Sequence, residues 1–322
     1  MDINTNEQIR RGAEIIRGGG VVAFPTETVY GLGASAFDEK ALARVFEVKR
    51  RPFFDPLILH IGEKGQLDDL VVDIPALTHK LIDKFWPGPL TVVLPKKSLV
   101  PDIATSGLPG VAIRIPSNDI ARRLINTANV PIAAPSANLF GYVSPTAAEH
   151  VLSQLGGSVD MVIDGGECTV GIESTIISFM GDAPMMLRPG GTALEDIEDV
   201  IGKVIIPANN DLTNQSPGRS EQHYATSTPL VLIDDIWDVD DANAGLLALA
   251  PNSVNKLPPN ITKTEYLSTN GDLREAACNL FAAMRRLDGA GVNIIFALPI
   301  PNTGLGLAIN DRLLRASKKR AR

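Results

Sequence analysis

The chain has 322 residues, 44 % of them hydrophobic and 21 % charged, with 37 acidic side chains against 30 Lys and Arg and a net charge of −7. That length supports a sizeable core in one large or two ordinary domains, and the acidic balance argues against broad electrostatic nucleic-acid binding while allowing a local basic groove. Only Cys168 and Cys278 occur, neither in a CxxC pair, so a disulfide framework or structural zinc site is not expected and both read as buried thiols. Met1-Asp2-Ile3-Asn4 has neither a basic start nor an apolar core. No run approaches the roughly 18 apolar residues of a membrane span, so a cytoplasmic protein is expected.

In chain order, Asn4 and Glu7 form a capping-box spacing, and Ile9, Ala13 and Ile16 follow a helical period that Gly18-Gly19-Gly20 stops. Val21–Phe24 reads as a buried strand. Asp38 is placed to cap a helix with Leu42, Val45 and Phe46 on one face. Strands are predicted at 57–61, 91–94, 111–115, 131–134, 161–164 and 174–179, with helices near 120–125 and 146–155. This mixture predicts an α/β class with a large twisted mixed sheet over 1–206. Residues 207–228, rich in Pro, Gly and Asn at their start, read as a linker, and 229–322 as a small doubly wound α/β domain. Its strands are expected at 230–233, 245–249 and 293–297, and its helices at 273–287 and 309–316. The basic tail from Ser317 to Arg322 reads as a solvated helix end.

Motifs for a P-loop, a dinucleotide fold, a zincin and a nucleophile elbow are absent, which argues against the standard ATPase, dehydrogenase and esterase. What remains is a set of polar clusters at strand ends. Lys49 and Arg51 are one residue apart, and Pro52 pushes Arg51 toward an extended backbone in which i and i+2 share a face, so the pair reads either as an anion pocket or as a solvated basic patch at a helix end. Pro25 to Gly33 carries two threonines and a glutamate directly after the first strand, lining a crevice or capping a turn. His60 ends the strand that follows Lys49 and Arg51, and the other histidines, His79, His150 and His223, lack obvious companions. Arg114 lies in an otherwise apolar strand and requires a carboxylate, from the protein or from a ligand. Ser136 and Asn138 share an i, i+2 spacing after Pro135 and read as two donors to one pocket, while Ser144-Pro145-Thr146 reads as a helix start suited to phosphate. Arg188 repeats the Arg-before-Pro arrangement.

Taken in order, Lys49-x-Arg51-Pro52, Pro56-Leu57, Trp86-Pro87-Gly88-Pro89-Leu90-Thr91, Ser136-Ala137-Asn138, Ser144-Pro145-Thr146, Glu173-Ser174-Thr175 and Arg188-Pro189-Gly190 resemble the YrdC-like family. His223-Tyr224-Ala225, Gly304-Leu305-Gly306 and Asn310-Asp311-Arg312-Leu313 extend the resemblance to its long, two-domain form over essentially the whole chain. The resemblance implies a nucleotidyltransferase that condenses L-threonine, bicarbonate and ATP into threonylcarbamoyl-adenylate and pyrophosphate. A downstream tRNA-modifying threonylcarbamoyl-transferase complex would use the product, with no membrane and no stable tRNA binding required. It implies Lys49 and Arg51 as catalytic cations on the triphosphate, with Asp55, Gly110, Ser136, Asn138, Ser144, Arg188 and Tyr224 beside ATP. It implies Thr28, His60, Arg114, Ala134 and Ser174 around L-threonine, Mg2+ arriving with ATP without a protein side-chain cage, and a lid from the segment carrying His223 and Tyr224. An RNA- or nucleotide-binding relative without turnover is the alternative. A hydrogenase-maturation carbamoyltransferase is disfavoured because its cysteine-rich zinc modules are missing. Asp55 stands where the family usually has Asn, Gly110 where a hydroxyl is common, Phe140 where a small residue is usual, and Arg219 to Gln222 replace a more basic stretch.

Overall fold

The computed structural model describes residues 3–207, 223–239, 241–254 and 256–318. Its elements are α1 (Ile3–Arg17), β1 (Val22–Phe24), β2 (Gly31–Ser35), α2 (Glu39–Lys49), β3 (Ile58–His60), α3 (Leu67–Leu70), α4 (Ala76–Phe85) and β4 (Leu90–Pro95). There follow α5 (Asp102–Thr105), β5 (Gly110–Arg114), α6 (Asp119–Ala128), β6 (Ile132–Ala133), α7 (Ala148–Leu155), β7 (Met161–Val162), β8 (Thr175–Ser178), β9 (Met185–Arg188) and α8 (Leu194–Ile201). The second unit comprises β10 (Leu230–Leu232), β11 (Ala244–Ala248), β12 (Ile261–Tyr266), α9 (Leu273–Asp288), β13 (Ile294–Ala297) and α10 (Gly306–Ala316).

Strands β1 to β9 form one mixed sheet in the order β7-β1-β2-β6-β3-β5-β4-β8-β9. Its apolar strand residues alternate between packed layers, as a sheet covered on both sides requires. Helices α1 and α6 cover one region through Ile9, Ala13, Ile16, Leu124 and Ile125, all buried. Leu42, Val45 and Phe46 of α2 join the main core with Leu59, Leu81 and Ile113. Strands β10 to β13 form a second, wholly parallel sheet in the order β10-β13-β11-β12. Here α9 and α10 cover the face that presents Leu247, Ile295 and Ala297, while Leu246, Ala248 and Phe296 pack beneath Ile236 and Val254 on the other.

Local chemistry explains most boundaries. Asp38 caps α2 by accepting from the amides of Lys40 and Ala41, and Asn118 and Asp272 do the same for α6 and α9. The expected capping box at Asn4 does not form, because α1 already includes Ile3 and Asn4 instead accepts from Gln8 one turn on at 3.4 Å. Likewise Ser144-Pro145-Thr146 does not open a helix. The N-cap of α7 is Ala147, and the Ser144 hydroxyl is directed elsewhere. Strand β2 was not expected. Gly31 and Gly33 interrupt the β-branched pattern, yet a side chain at Gly33 would meet the Phe24 ring at 2.6 Å, so the strand needs glycine to lie against β1.

The two units are packed tightly. Gly171 has φ +75, and a Cβ there would lie 2.3 Å from the backbone of Cys278 in α9. The thiol of Cys278 in turn donates to the carbonyl of Cys168 at 3.3 Å, so two cysteines far apart in sequence meet across this contact; Cys168 is buried and Cys278 half-buried. Of the segment expected as a linker, 207–228, residues 208–222, including Arg219 to Gln222, lie outside the described residues, as does the tail from Lys319; His223, Tyr224 and Ala225 within it are buried. Replacing Gly171 with Ala is expected to cost about 2 kcal/mol or more, since both the left-handed backbone and the close approach oppose a side chain. A urea midpoint equal to wild type would contradict this.

Candidate active site

The strand register gathers the polar clusters at one end of the large sheet. His60 and Arg114 are paired neighbours on parallel β3 and β5, His60 also faces Ile132 on β6, and Arg188 on β9 pairs with Ile176 on β8. The turns after β1 and β6 bring in Thr26 and Thr28, and Ala134 and Ser136. These residues line one cavity together with Val29, Gly31, Arg51, Ile58, Pro135, Glu173, Ser174 and His223. All five residues expected around an amino acid (Thr28, His60, Arg114, Ala134 and Ser174) are therefore together, and Arg51, Ser136 and Arg188 share the same space.

The two leading cations are not an exposed patch. Lys49 is the last residue of α2, and Arg50 caps the helix in the left-handed region at φ 52, so the chain reverses between Lys49 and Arg51 instead of extending through them. The ammonium of Lys49 is buried and donates to the carbonyls of Ser136 and Asn138 at 2.5 Å each. Burial, with help from neighbouring Arg51, pushes its pKa well below that of an ordinary lysine. Arg51 donates to the carbonyls of Asp55 and Pro56 and pairs with the Asp55 carboxylate at 2.9 Å. The acidic residue at 55 therefore spends its charge on Arg51.

Arg114 meets an internal carboxylate, but loosely. Its nearest approach to Glu27 is 3.6 Å, and neither its Nε nor either Glu27 oxygen has a hydrogen-bond partner among the described residues. The guanidinium thus keeps its charge compensated while retaining capacity for a further anion. His60 has the opposite character. Its Nδ1 lies 3.1 Å from the carbonyl of Ile58 and 3.3 Å from that of Ile132, so that nitrogen must carry the proton. Burial and then the Arg114 charge drive its pKa well below 6.5, which leaves a neutral ring with Nε2 as an acceptor. Among the hydroxyls, Thr28 shares a 2.8 Å hydrogen bond with Thr26, and Ser174 one of 2.7 Å with Thr91. Arg188 donates to the carbonyl of Ser174 at 3.0 Å.

Several expected residues stand outside the cavity lining. Asn138 is buried, and its amide nitrogen donates to the carbonyls of Leu139 and Tyr142 instead of into the pocket. Gly110 begins β5 and lines a separate hollow with Val93, Met180 and Leu187. The hydroxyl of Ser144 donates to Glu173 at 2.6 Å. His223 lines the cavity while Tyr224 lies behind it with φ 65, its ring stacked on Phe281 of α9 at 5.3 Å. The histidine expected to lack companions in fact packs against Tyr224 and Phe140.

Glu173 and Arg312 were not singled out as functional from the sequence. Arg312 on α10 is fully buried and pairs with Glu173 at 3.0 Å. Burial would raise the Glu173 pKa, but Arg312, Arg188 and the Ser144 hydroxyl outweigh it and hold the carboxyl down to about 2. A signal existed: Arg312 is three residues after Ile309 and directly before Leu313, on the apolar side of its helix. Among the described residues no cluster of His, Cys, Asp or Glu is arranged to hold a metal ion, and no helix is long and apolar enough to cross a membrane.

A twisted mixed sheet with a cation-lined cavity at its strand ends, followed by a parallel α/β layer, is the YrdC-like architecture with an appended domain. A family model for Sua5, YciO and YrdC, described as telomere recombination, matches residues 14–190, and one described as the threonylcarbamoyl-AMP synthase C-terminal domain matches 192–318. A threonylcarbamoyl-AMP synthase from Pyrococcus abyssi is 44 % identical over 96 % of this chain and 94 % of the relative, and one from Bacillus subtilis is 39 % identical over 98 % and 95 %. The crystal structure of P. abyssi Sua5 complexed with L-threonine superposes with a TM-score of 0.88 at 42 % identity, covering 96 % of this chain and 94 % of that one. The chain belongs to the two-domain threonylcarbamoyl-AMP synthase family.

Two buried histidines and a half-buried one give the protein a defined response to acid. His60 is held well below 6.5, His150 at about 4 and His223 at about 3, each mainly by burial. An unfolded chain would bind these protons near pH 6.5 while the folded one refuses them, so stability is present above that pH and is lost as pH falls from about 6.5 toward 3. Melting temperature is expected to fall across that interval. A flat profile would show that these rings accept protons in place.

Proposed function

We propose that this enzyme makes threonylcarbamoyl-AMP from L-threonine, bicarbonate and ATP, as a nucleotidyltransferase. The observation that carries this reading is one cavity in which the under-coordinated Arg114 and neutral His60 sit with the phosphate-suited cations Arg51 and Arg188. Arg114 receives the threonine carboxylate with its spare hydrogen-bonding capacity. His60 Nε2 accepts from the substrate hydroxyl or ammonium, and the hydroxyls of Thr28 and Ser174 with the backbone of Ala134 complete that end.

Chemically, the threonine amine attacks the bicarbonate carbon, a C–N bond forms, and water is lost to leave a carbamate. A carbamate oxygen then attacks the α-phosphorus of ATP. The new O–P bond forms as the bond to the bridging β-oxygen breaks, and pyrophosphate departs with that electron pair. Arg51 and Arg188 stabilise the charge that develops on the leaving pyrophosphate, Lys49, outside the cavity lining with its ammonium on the Ser136 and Asn138 carbonyls, holds that turn in place, and Ser136 orients the phosphates; the work is positioning and electrostatics, with no covalent enzyme intermediate. Magnesium enters as the counter-ion of ATP, consistent with its preference for phosphates over an all-protein cage. The carbamate and the mixed anhydride are both water-sensitive, and a cavity walled by buried side chains suits them. Transfer of the product to tRNA by a separate threonylcarbamoyl-transferase complex completes the reading.

The deciding experiment is pyrophosphate release with ATP and bicarbonate against each amino acid in turn, where threonine dependence is expected and its absence would sink the reading. Arg51→Ala is expected to lower kcat/KM by roughly a hundredfold or more, the scale of a lost charge-stabilising donor, and also to lower the melting temperature because the buried Asp55 carboxylate loses its partner. Full activity in that variant would remove Arg51 from the mechanism. Asp55→Asn releases Arg51 from its carboxylate and is expected to lower the KM for ATP. An unchanged KM would mean that the Asp55 charge is already fully offset.

A further inference from the structure

Among the described residues, the second domain contributes no side chain to the cavity wall apart from what His223 at its entry supplies, yet one of its arginines is bonded to a residue that does line it. Arg312 has no exposed surface, and its Nε and Nη2 donate to Glu173 Oε2 at 3.2 and 3.0 Å. Its Nη1 donates to the carbonyl of Pro189 at 2.5 Å, next to Arg188, and its guanidinium carbon sits 5.5 Å from the Tyr224 ring centre. The other Glu173 oxygen takes the Ser144 hydroxyl at 2.6 Å.

Glu173 presents a chemical difficulty. It is a buried carboxylate in a cavity shared with Arg51 and Arg188, where a polyphosphate with several negative charges is to be accommodated. Uncompensated, it would repel the phosphates and compete for Arg188, or swing toward that cation and close the space. Its charge is cancelled from behind, by a cation on α10 that lies outside the pocket lining.

We infer that Arg312 is a positioning residue for ATP: with the Ser144 hydroxyl it neutralises and anchors Glu173, so that Arg188 is held for the phosphates and not for a protein carboxylate. The appended domain thereby acts on nucleotide affinity through one buried ion pair. This rests on the ATP reading above. It separates the two substrates, because Arg114, His60 and Thr28 at the amino-acid end make no hydrogen bond or ion pair with Arg312 or Glu173 among the described residues.

The test uses the full chain and direct calorimetric titration with a non-hydrolysable magnesium–ATP analogue and, separately, with L-threonine. Arg312→Met is expected to weaken the ATP analogue roughly tenfold or more, the scale of a buried carboxylate left without its partner, while threonine affinity stays within about twofold. Arg312→Lys, which keeps the charge, is expected to lose only about threefold. Adding Glu173→Gln to Arg312→Met removes the stranded carboxylate and is expected to recover most of the lost ATP affinity, which a merely structural role would not allow. Equal weakening of both ligands, a double variant no better than the single one, or a Met variant that binds ATP as wild type does would each overturn the inference. Where Arg312→Met does not fold, the double variant decides: if folded, ATP affinity within about threefold of wild type supports the inference and a loss beyond about tenfold overturns it. Wild-type protein that binds the analogue but releases no pyrophosphate with threonine would fail the functional reading instead, and is scored separately in the same series.

Discussion

A cation taken out of water must find its counter-charge or its acceptors in the protein, and this requirement organises the molecule around its cavity. Apart from Arg51, which pairs with Asp55 four residues on, these buried cations find partners in segments remote in structure or sequence: Lys49 in the carbonyls of Ser136 and Asn138, Arg188 in Ser174, Arg114 in Glu27, and Arg312 in Glu173. These contacts tie α2 to the turn after β6, β9 to the start of β8, β5 to the turn after β1, and α10 to the first domain. Breaking one such pair leaves a stranded charge, which costs more than the intact pair contributes, so the loops at the strand ends are held against each other by penalties as much as by attraction. The apolar core positions the strands, and the charges position what emerges from them.

The fold was largely legible because its strands are short apolar runs between turn-forming residues, and hydrophobic pattern is a direct record of burial. β3, β4, β5 and β8 fall within one residue of their expected limits at every end. Helices α3, α4, α5 and α8 also went unforeseen, and the strands that escaped share a reason. β2 is built on glycines that the neighbouring Phe24 ring demands, β9 begins with methionines, and β12 is an edge strand whose Thr262 and Lys263 face outward. Strand propensity says little about any of them, because tertiary contact decides each one.

At the site, the residue types were legible and their couplings were not. Spacing correctly marks Arg114 as needing a carboxylate, but Glu27 lies 87 positions away and only the pairing of β3 with β5 and the turn after β1 bring them together. The same limit misdirected Asn138 and Ser144. Both read as donors to a ligand, whereas one secures the Leu139–Tyr142 turn and the other a carboxylate. An i, i+2 rule holds along an extended strand and fails at a reversal, which is what the left-handed Arg50 introduces between Lys49 and Arg51. Arg312 was overlooked because a charged residue in a helix is normally solvated, and its true environment is set by a different domain.

The depth of these cations also bears on how a nucleotide arrives. With a net charge of −7 and Lys49, Arg51, Arg114 and Arg188 all beneath the surface, the outer field opposes an incoming polyanion, and at physiological salt a charge is felt over only about 8 Å. Encounter is therefore unassisted by long-range steering, and added salt should hasten capture slightly where a basic surface would be slowed. On the ATP reading proposed above, discrimination falls on the step in which the phosphates shed water inside the cavity, and selection is by residence and not by speed of approach.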